Sequence, residues 1–379
     1  MTRTLFVTND FPPRLGGIQT FVYELARSRP AGSVVVFASA WSGAAAFDAE
    51  QDFPIVRYGR SVLLPTPDVR AQASRLLQSH GCDQVVFGAA FPLGFLGPAL
   101  RRAGAERVIA LTHGHEAGLA GIPGGSALLR RIGASVDVLT YLGAYTQARI
   151  AAAVTPAAAG RMVQLAPGVD TALFSPDVDA GAVRARYGLT GRPVVVCVSR
   201  LMPRKGQDEL IQAWPAIRSR VPGAALLLVG SGPDRERLGR LVASGRLERD
   251  VVFAGAVPYA ELPAHYAAGD VFAMPCRTRN RGLDVEGLGI VFLEASATGR
   301  PVVAGDSGGA PDAVLSGETG YVVGGRDRAA LAERVSELLL DRALATRMGA
   351  NGRAWVEQSW RWDQVAERFD RLLDASSPR

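Results

Sequence analysis

The sequence has few cysteines and no long apolar run. Its three cysteines, Cys82, Cys197 and Cys276, lie far apart without a CxxC pair, which argues against a disulfide framework and against a cysteine-type zinc site. No apolar run reaches the roughly 18 residues that a membrane-spanning helix needs. The apolar stretch at the N-terminus is too short for a secretory signal and predicts a β-strand instead. We therefore expect a protein of a reducing, cytoplasmic compartment.

Lysine is almost absent as well. Of the 42 basic residues, 41 are arginine and one is Lys205, which hints that a compact ammonium group is needed there. Residues 1–168 carry 15 basic and 10 acidic side chains (net +5) and the remainder 27 and 26 (net +1), which together give +6. The excess in the first half fits an anionic ligand or membrane surface, and equally an ordinary solvated surface. Nucleic acid is not expected, because the sequence has no Lys/Arg-rich run and no aromatic recognition motif.

Short β-branched runs alternate with helix-like segments, which is typical of parallel sheets covered by helices on both faces. The pattern restarts after Pro167-Gly168-Val169-Asp170, so we predict an α/β fold of two doubly wound domains, 1–168 and 169–354. Residues 355–379 predict an amphipathic terminal helix. In open α/β sheets, ligands bind at the carboxyl ends of the strands. The predicted strands are 4–8, 34–38, 84–87, 108–112 and 136–140, then 194–199, 225–229, 251–254, 271–274 and 301–304.

Asp10, Gly16 and Gly17 follow the first predicted strand and lead into the first helix. The glycines allow the backbone to approach a ligand closely, and the N–H groups of a helix N-terminus suit a phosphate. The spacing of a P-loop or of a dinucleotide fingerprint is absent. A plain strand-to-helix turn is the alternative interpretation.

The segment Thr112-His113-Gly114-His115-Glu116 ends another predicted strand. Two histidines at i, i+2 on a turn are poorly placed for one metal ion, and no distant third ligand is evident. A polar contact or an acid–base role is therefore expected for His113. A structural capping role for His115 or Glu116 is the alternative.

Arg200 and Lys205 stand five residues apart on a predicted turn after the first strand of the second half. Two cations in such a position can bind a diphosphate and neutralise it as it leaves. An exposed turn could also carry them for solubility. The nearby segment Val229-Gly-Ser-Gly-Pro233 lacks the third glycine of the dinucleotide motif and predicts only a close approach of backbones.

Glu286 and Glu294 bracket seven uncharged residues. The pattern predicts a loop at Glu286, a helix N-terminus at about 289–291, and Glu294 one turn into the helix. N–H groups at the terminus suit phosphate, and a carboxylate on either side suits hydroxyl groups, so the spacing fits a sugar–diphosphate–ribose ligand. The apolar residues between them, Leu288, Ile290, Val291 and Phe292, would anchor the helix in the core. A helix-dipole glutamate plus a surface glutamate is the alternative.

Together these segments resemble the retaining GT-B glycosyltransferases of family 4. Within that family, the stretches TRNRGLDVEGLGIVFLEA and SGGAPD are most similar to the actinobacterial mannosyltransferases that use GDP-mannose to extend phosphatidylinositol monomannoside. The resemblance implies two Rossmann-like doubly wound domains facing a deep cleft, the first on the acceptor side and the second binding the nucleotide sugar. It also implies that the C-terminal helix crosses back to the first domain.

The resemblance further implies roles for the second domain's residues. Arg200 and Lys205 would hold the diphosphate and stabilise it as leaving group. Glu286 would bind hydroxyls of the donor sugar near O3, and Glu294 would bind the ribose hydroxyls. Backbone N–H groups would come from Gly289, Ile290 and Val291, and the base would lie by the loop that contains Val257.

In the first domain, the resemblance implies that Gly16 and Gly17 contact the diphosphate, that His113 contacts the sugar near its C6 hydroxyl, and that Asp10 lies by the acceptor. The implied catalytic residues are therefore His113, Arg200, Lys205 and Glu286. No metal or other cofactor is expected. The implied partners are GDP-mannose, an anionic glycolipid acceptor and the inner face of the plasma membrane, with no indication of the oligomeric state.

Other functions are compatible with parts of this pattern. One is a family 4 enzyme with another nucleotide sugar and a soluble thiol precursor, sugar, inositol or phosphate as acceptor. Another is a sugar-nucleotide-binding module without turnover, although such a module need not keep both cations and both glutamates. An oxidoreductase is disfavoured by the missing GxGxxG motif.

Overall fold

The computed structural model describes residues 2–14 and 16–374. Their chain divides into two compact units, one formed by the described residues of Met1–Pro167 and Asp363–Arg379 and the other by Gly168–Trp362. The last five residues of the expected terminal segment, 375–379, lie outside the described part. Within that part, no helix has both the length and the apolar character needed to cross a bilayer.

The first unit is built on a parallel sheet with the order β3-β2-β1-β4-β5-β6-β7. The central strands are buried on both faces, which explains why they are continuous β-branched runs instead of alternating ones. Its strands are β1 (Thr4–Thr8), β2 (Val34–Ser39), β3 (Ile55–Tyr58), β4 (Gln84–Phe87), β5 (Arg107–Ala110), β6 (Val138–Tyr141) and β7 (Val163–Gln164). Its helices up to residue 167 are α1 (Gly17–Arg27), α2 (Ala44–Ala49), α3 (Pro67–Ser79), α4 (Gly97–Arg102), α5 (Gly114–Leu119), α6 (Gly125–Gly133), α7 (Ala144–Ala151) and α8 (Pro156–Ala159).

The second unit has a parallel sheet with the order β10-β9-β8-β11-β12-β13. Counted from β8, this is the 3-2-1-4-5-6 order of a Rossmann fold. Its strands are β8 (Val194–Val198), β9 (Ala225–Val229), β10 (Val251–Gly255), β11 (Val271–Met274), β12 (Val302–Gly305) and β13 (Gly320–Val323). Its helices are α9 (Gly181–Arg186), α10 (Gln207–Arg220), α11 (Arg235–Ser244), α12 (Leu262–Ala267), α13 (Ile290–Ala297), α14 (Arg328–Leu340) and α15 (Arg342–Ser359).

The last helix, α16 (Trp362–Asp374), belongs with the first unit from Asp363 onward. The predicted amphipathic character is confirmed, because its apolar residues Val365, Phe369, Leu372 and Leu373 are all buried. Phe369 packs against Phe6 of β1, with ring centroids 5.9 Å apart. Burying several large apolar side chains in this way supplies on the order of 1.5–3 kcal/mol each, which is enough to fix a short helix.

The sequence pattern missed three strands, β3, β7 and β13. All four residues of β3 are only half-buried, β7 has two residues, and β13 begins with Gly320. Strands at or near a sheet edge need less apolar sequence, so their signal is weak. Residues 94–102 have a helix-like sequence, but the structure has a 3-10 turn at Leu93–Leu96 followed by α4.

Candidate active site

The strand order of the second unit reverses direction between β8 and β11, and such a switch point is where open α/β sheets bind ligands. The segment after β8 carries Arg200 and Lys205, and the segment after β11 carries Glu286. Topology therefore brings side chains that are 81 residues apart in sequence to one edge of the sheet. The motif spacing suggested that these side chains meet, and the strand order of the sheet brings them together.

Lys205 and Glu286 form a buried ion pair. The Lys205 Nζ donates to Glu286 Oε2 at 2.7 Å, and Arg204 Nε lies 3.5 Å from the same oxygen. Burial by itself would raise the pKa of Glu286, but the charges of Lys205 and Arg204 outweigh it and the pKa is lowered. Oε1 of Glu286 takes no hydrogen bond from the described residues and is not among the fully buried atoms without a partner, so it is accessible to a ligand.

Backbone contacts hold the Glu286 loop in place. The N–H of Glu286 donates to Ser307 Oγ at 3.2 Å, and the N–H of Gly309 donates to the Glu286 carbonyl at 2.9 Å. A Cβ on Gly308, whose φ is +57°, would lie 2.2 Å from that carbonyl oxygen. The glycine-rich turn after β12 is thus required by the close approach of two backbones.

Helix α13 begins where the pattern predicted. Gly289 is its N-cap, with φ 83° and ψ 68°, and Glu294 lies one turn into the helix. Within the described chain, no acceptor takes a hydrogen bond from the N–H groups of Gly289, Ile290 and Val291, so they remain available to an anion. One expectation was wrong in part: Leu288 and Phe292 are buried, but Ile290 and Val291 are only half-buried, because the start of the helix borders the site.

Glu294 sits in a different environment from Glu286. It is 7% exposed, and its Oε2 accepts a hydrogen bond of 2.5 Å from the hydroxyl of Tyr266, a fully buried residue of α12. Burial raises the pKa of Glu294 to about 7, although the Tyr266 hydrogen bond acts in the opposite direction. A carboxyl without a cationic partner can take the hydroxyl groups of a neutral ligand group.

Arg200 and Val257 lie at the same sheet edge but make fewer contacts. Arg200 is exposed, and its side chain has no ion pair in the part of the chain that the structure describes. Its carbonyl accepts from Gln207 Nε2 at 3.1 Å, which holds the loop after β8. Val257 is half-buried in the loop after β10.

The segment after β9 is a close-approach turn, as predicted. A Cβ on Gly230 would lie 2.1 Å from the Ser199 carbonyl oxygen, and one on Gly232 would lie 2.3 Å from that of Leu201. The two glycines therefore let the β9 turn pack directly against the loop that carries Arg200.

In the first unit, Asp10, Gly16 and Gly17 lie at the carboxyl end of β1. Gln19 Nε2 donates to Asp10 Oδ1 at 2.6 Å, and Arg14 Nη1 lies 3.5 Å from the same oxygen. Gly16 caps α1 and Gly17 is its first residue. A Cβ on Gly17 would meet nothing within 4 Å, so that position is open to an approaching group.

His113 is the N-cap of α5 and is 3% exposed. Its Nε2 lies 2.8 Å from the Gly88 carbonyl, which can only accept, so the proton is on Nε2 and Nδ1 is an acceptor. Burial lowers the pKa of His113, which keeps the ring neutral. The predicted capping role belongs to Glu116, whose Oε2 accepts from the His113 N–H at 2.7 Å and whose Oε1 lies 3.0 Å from His115 Nε2.

Three residues that the sequence did not single out support the site. Arg204 bonds Asp284 Oδ1 at 2.9 Å and reaches Glu286, while Ser307 and Tyr266 hold the two glutamates. Arg204 directly precedes Lys205 and could have been suspected for that reason. Ser307 opens the SGGAPD stretch, but its contact with Glu286 could not be predicted from that stretch. Nothing in the local sequence of Tyr266 indicates its contact with Glu294.

Known protein families match both halves of this chain. Residues 15–173 match the profile described as Glycosyltransferase Family 4, and residues 181–355 match Glycosyl transferases group 1. A Mycobacterium tuberculosis protein, named GDP-mannose-dependent alpha-(1-6)-phosphatidylinositol monomannoside mannosyltransferase, is 52% identical, with 98% of each chain covered. This chain belongs to the family 4 glycosyltransferases.

A second relative agrees with the family assignment, and two solved structures agree with the fold. The Corynebacterium glutamicum protein named GDP-mannose-dependent monoacylated alpha-(1-6)-phosphatidylinositol monomannoside mannosyltransferase is 45% identical, covering 100% of this chain and 99% of its own. Among solved structures, Anabaena Alr3699/HepE in complex with UDP superposes with a TM-score of 0.84 at 20% identity, over 98% of this chain and 99% of that one. Sucrose-phosphate synthase from Thermosynechococcus elongatus gives 0.80 at 23% identity, over 98% of both chains. The predicted fold class of a GT-B glycosyltransferase is confirmed.

Proposed function

We propose that this glycosyltransferase moves mannose from GDP-mannose to a phosphatidylinositol monomannoside acceptor, with an α-1,6 linkage and retention of configuration. The observation that carries the substrate assignment is the 52% identity, over 98% of both chains, to a protein named for that reaction. The site of the second unit supports it, because cations, free N–H groups and two glutamates lie at one sheet edge. Such a set suits a ligand made of sugar, diphosphate and ribose.

In this proposal each group of the donor has its own partner. Lys205 and Arg200 neutralise the diphosphate, together with the N–H groups at the start of α13. Oε1 of Glu286 accepts from sugar hydroxyls while Oε2 stays with Lys205. Glu294 accepts the ribose hydroxyls, and the base lies by Val257.

The chemical step needs no enzyme nucleophile in this proposal. The bond between sugar C1 and the phosphate oxygen breaks as a bond forms between C1 and the acceptor oxygen on the same face. The acceptor's hydroxyl proton passes to the leaving phosphate oxygen. Lys205 and Arg200 stabilise the charge that develops on the diphosphate, which is the role that a metal ion fills in other transferases. Activity should therefore survive chelation by EDTA, and its loss would contradict this part of the proposal.

In the first unit, neutral His113 offers Nδ1 as an acceptor to the sugar near its C6 hydroxyl. Gly16 and Gly17 contact the diphosphate, and Asp10 lies by the acceptor. An exposed arginine, Arg14, is 3.5 Å from Asp10 and could share the charge of an anionic acceptor.

The acceptor is a lipid, so we also propose that the enzyme works at the inner face of the plasma membrane. Helix α6 supports this, because Arg130, Arg131 and Leu128 are exposed on it, Leu128 by 38%. Arg101 is a weaker candidate for membrane contact, since its guanidinium already pairs with Asp137 at 2.6 Å. The three cysteines, all free and buried, fit a reducing compartment.

Vesicle sedimentation tests the membrane part. Vesicles of anionic lipid at low salt should sediment the wild type, and Arg130→Gln with Arg131→Gln should weaken this. The matched control, Arg240→Gln with Arg249→Gln, removes two exposed arginines of the second unit and should bind as the wild type does. Equal binding by both double variants would contradict a role for α6.

A donor and acceptor panel tests the reaction itself. Donors are GDP-mannose and UDP-glucose, and acceptors are phosphatidylinositol monomannoside and D-inositol 3-phosphate. The second acceptor is included because the Nocardia farcinica protein named D-inositol 3-phosphate glycosyltransferase is 35% identical over 53% of this chain. We expect mannosyl lipid from GDP-mannose, with an α-1,6 product. Transfer only from UDP-glucose, or only to the soluble acceptor, would refute the assignment.

A further inference from the structure

Tyr266 contributes no group to the donor partners proposed above, yet it is bonded directly to one of them. Its hydroxyl donates to Glu294 Oε2 at 2.5 Å, and both side chains are buried. The ring is fixed by Phe174 and Phe272, whose centroids lie 5.7 Å from its own. A phenol that is locked on two sides gives its hydrogen bond one direction only.

The remaining oxygen of Glu294 is free. Oε1 takes no hydrogen bond from the described residues, and it is not among the fully buried polar atoms without a partner. It therefore faces accessible space at the start of the second turn of α13, beyond the free N–H groups of 289–291. Tyr266 thus holds Oε2 of Glu294, and Oε1 remains accessible to a ligand.

We propose that Tyr266 is a positioning residue for the nucleotide: its hydroxyl holds Oε2 of Glu294 and so aims Oε1 at the ribose hydroxyls. This rests on the proposed function, in which Glu294 binds ribose. The Tyr266–Glu294 pair differs from the Lys205–Glu286 pair because its hydrogen-bond donor is neutral. A neutral donor leaves Glu294 able to take up a proton near neutral pH, whereas a cation keeps Glu286 ionised.

Few titratable groups face Glu294. Tyr266 of α12 is its hydrogen-bond partner, and Tyr259 and Cys197 lie behind that phenol. From α15, Arg353 is engaged with the Ala297 carbonyl at 2.9 Å. Among the described residues, no cation therefore lowers the pKa of Glu294, and the Tyr266 hydrogen bond is what favours its ionised form there.

This arrangement couples donor binding to the ionisation of Glu294. A carboxylate accepts from both ribose hydroxyls, but a protonated carboxyl must give up one acceptor position. With the Glu294 pKa at about 7, the Kd for the donor should weaken between pH 8 and pH 6, by up to about tenfold if the protonated form does not bind. The pH range over which the Kd weakens is the acidic limb of the binding profile. Losing the Tyr266 hydrogen bond would raise the pKa of Glu294 and move this limb to higher pH.

The test is calorimetric titration with GDP-mannose, whose diphosphate diester does not titrate in this range, from pH 6 to pH 9. Tyr266→Phe removes one oxygen and keeps the ring. We expect a binding deficit that is largest at pH 6 and shrinks as the pH rises. A packing defect alone would give the same fold loss at every pH, and that result, or an unchanged profile, would overturn the inference.

Two controls separate this inference from the proposed function. Tyr187→Phe removes a hydroxyl that lies 3.4 Å from Nε2 of His265, which is on α12 beside Tyr266. This variant should leave the pH profile of donor binding unchanged. Glu294→Gln should weaken binding at pH 8 and abolish the limb near pH 7. If Glu294→Gln binds as tightly as the wild type, the ribose role in the proposed function fails. If it weakens binding while Tyr266→Phe leaves the limb in place, only the inference about Tyr266 fails.

A second replacement keeps the test decisive if Tyr266→Phe does not fold. Site-specific 3-fluorotyrosine at position 266 has nearly the same volume and a more acidic hydroxyl, which is a stronger hydrogen-bond donor. It should lower the pKa of Glu294 and move the limb to lower pH, opposite in sign to Tyr266→Phe. A limb that does not move would count against Tyr266.

Discussion

Replacing Gly289 with alanine tests whether α13 must begin with a left-handed glycine. Its φ of 83° costs a residue with a Cβ about 1–2 kcal/mol. A Cβ at this position would also lie 2.5 Å from Cε2 of Phe292, a fully buried ring, and overpacking of this kind costs about 1–3 kcal/mol. Gly289→Ala should therefore lower the free energy of unfolding by about 2–5 kcal/mol.

Gly317→Ala is the matched control. Its φ is +86°, but a Cβ there would meet nothing within 4 Å, so only the conformational cost of about 1–2 kcal/mol applies. Urea denaturation of the full chain measures both variants, and both glycines lie in the unit that spans Gly168–Trp362. In a Phe292→Leu background the ring atoms are gone, and the excess cost of Gly289→Ala should shrink.

The comparison has a clear negative outcome. If Gly289→Ala and Gly317→Ala lose the same stability, the ring of Phe292 does not limit this position. If Gly289→Ala is neutral, the left-handed start of α13 is not needed. In a folded Gly289→Ala variant we also expect weaker GDP-mannose binding, because the N–H groups that follow would be displaced.

Arg200→Gln should change the free energy of unfolding by less than about 0.5 kcal/mol, because the side chain is exposed. The rate of mannosyl transfer should nevertheless fall by a factor of about 100 or more. Parallel losses of stability and activity would point to a structural role. Lys205→Met leaves the buried Glu286 with Arg204 as its one remaining cation among the described residues, so equilibrium denaturation should show a loss of up to about 3–5 kcal/mol in the free energy of unfolding; a stable variant would contradict the pairing. Glu116 has its pKa lowered to about 2, since the effects of His115 and His113 outweigh burial, so its contribution, about 3 kcal/mol, is present above pH 4.5 and disappears as the pH falls through 2. The stability gap between wild type and Glu116→Gln should accordingly narrow from pH 7 to pH 3, and a constant gap would refute this assignment.

The position of α13 was predictable because its signals are local. Gly289 adopts the left-handed conformation at which the preceding loop ends and the helix begins. The apolar run that follows has no helix breaker before Gly299. Glu286 and Glu294 were visible as candidates for the same reason. Their chemical difference was not visible, because Lys205 and Tyr266 come from other elements of the fold.

His113 illustrates the same limit in the first unit. Its motif marked it as polar and close to a strand end, which is where it lies. The direction of its ring depends on the carbonyl of Gly88 after β4, and its neutral state depends on burial. Neither the direction of the ring nor its neutral state can be predicted from the five residues of the motif.

By itself, the sequence determined that the chain alternates strand and helix, restarts near Pro167, and carries cations and glutamates where strands end, since these features depend on local periodicity and on residue type. The tertiary structure alone decided which of these groups meet. Strand order in the second unit sets β8 beside β11, so Lys205 reaches Glu286, and the packing of α12 brings a phenol to Glu294. Electrostatic environment depends on such distant neighbours, and for that reason two similar glutamates end with opposite shifts in pKa.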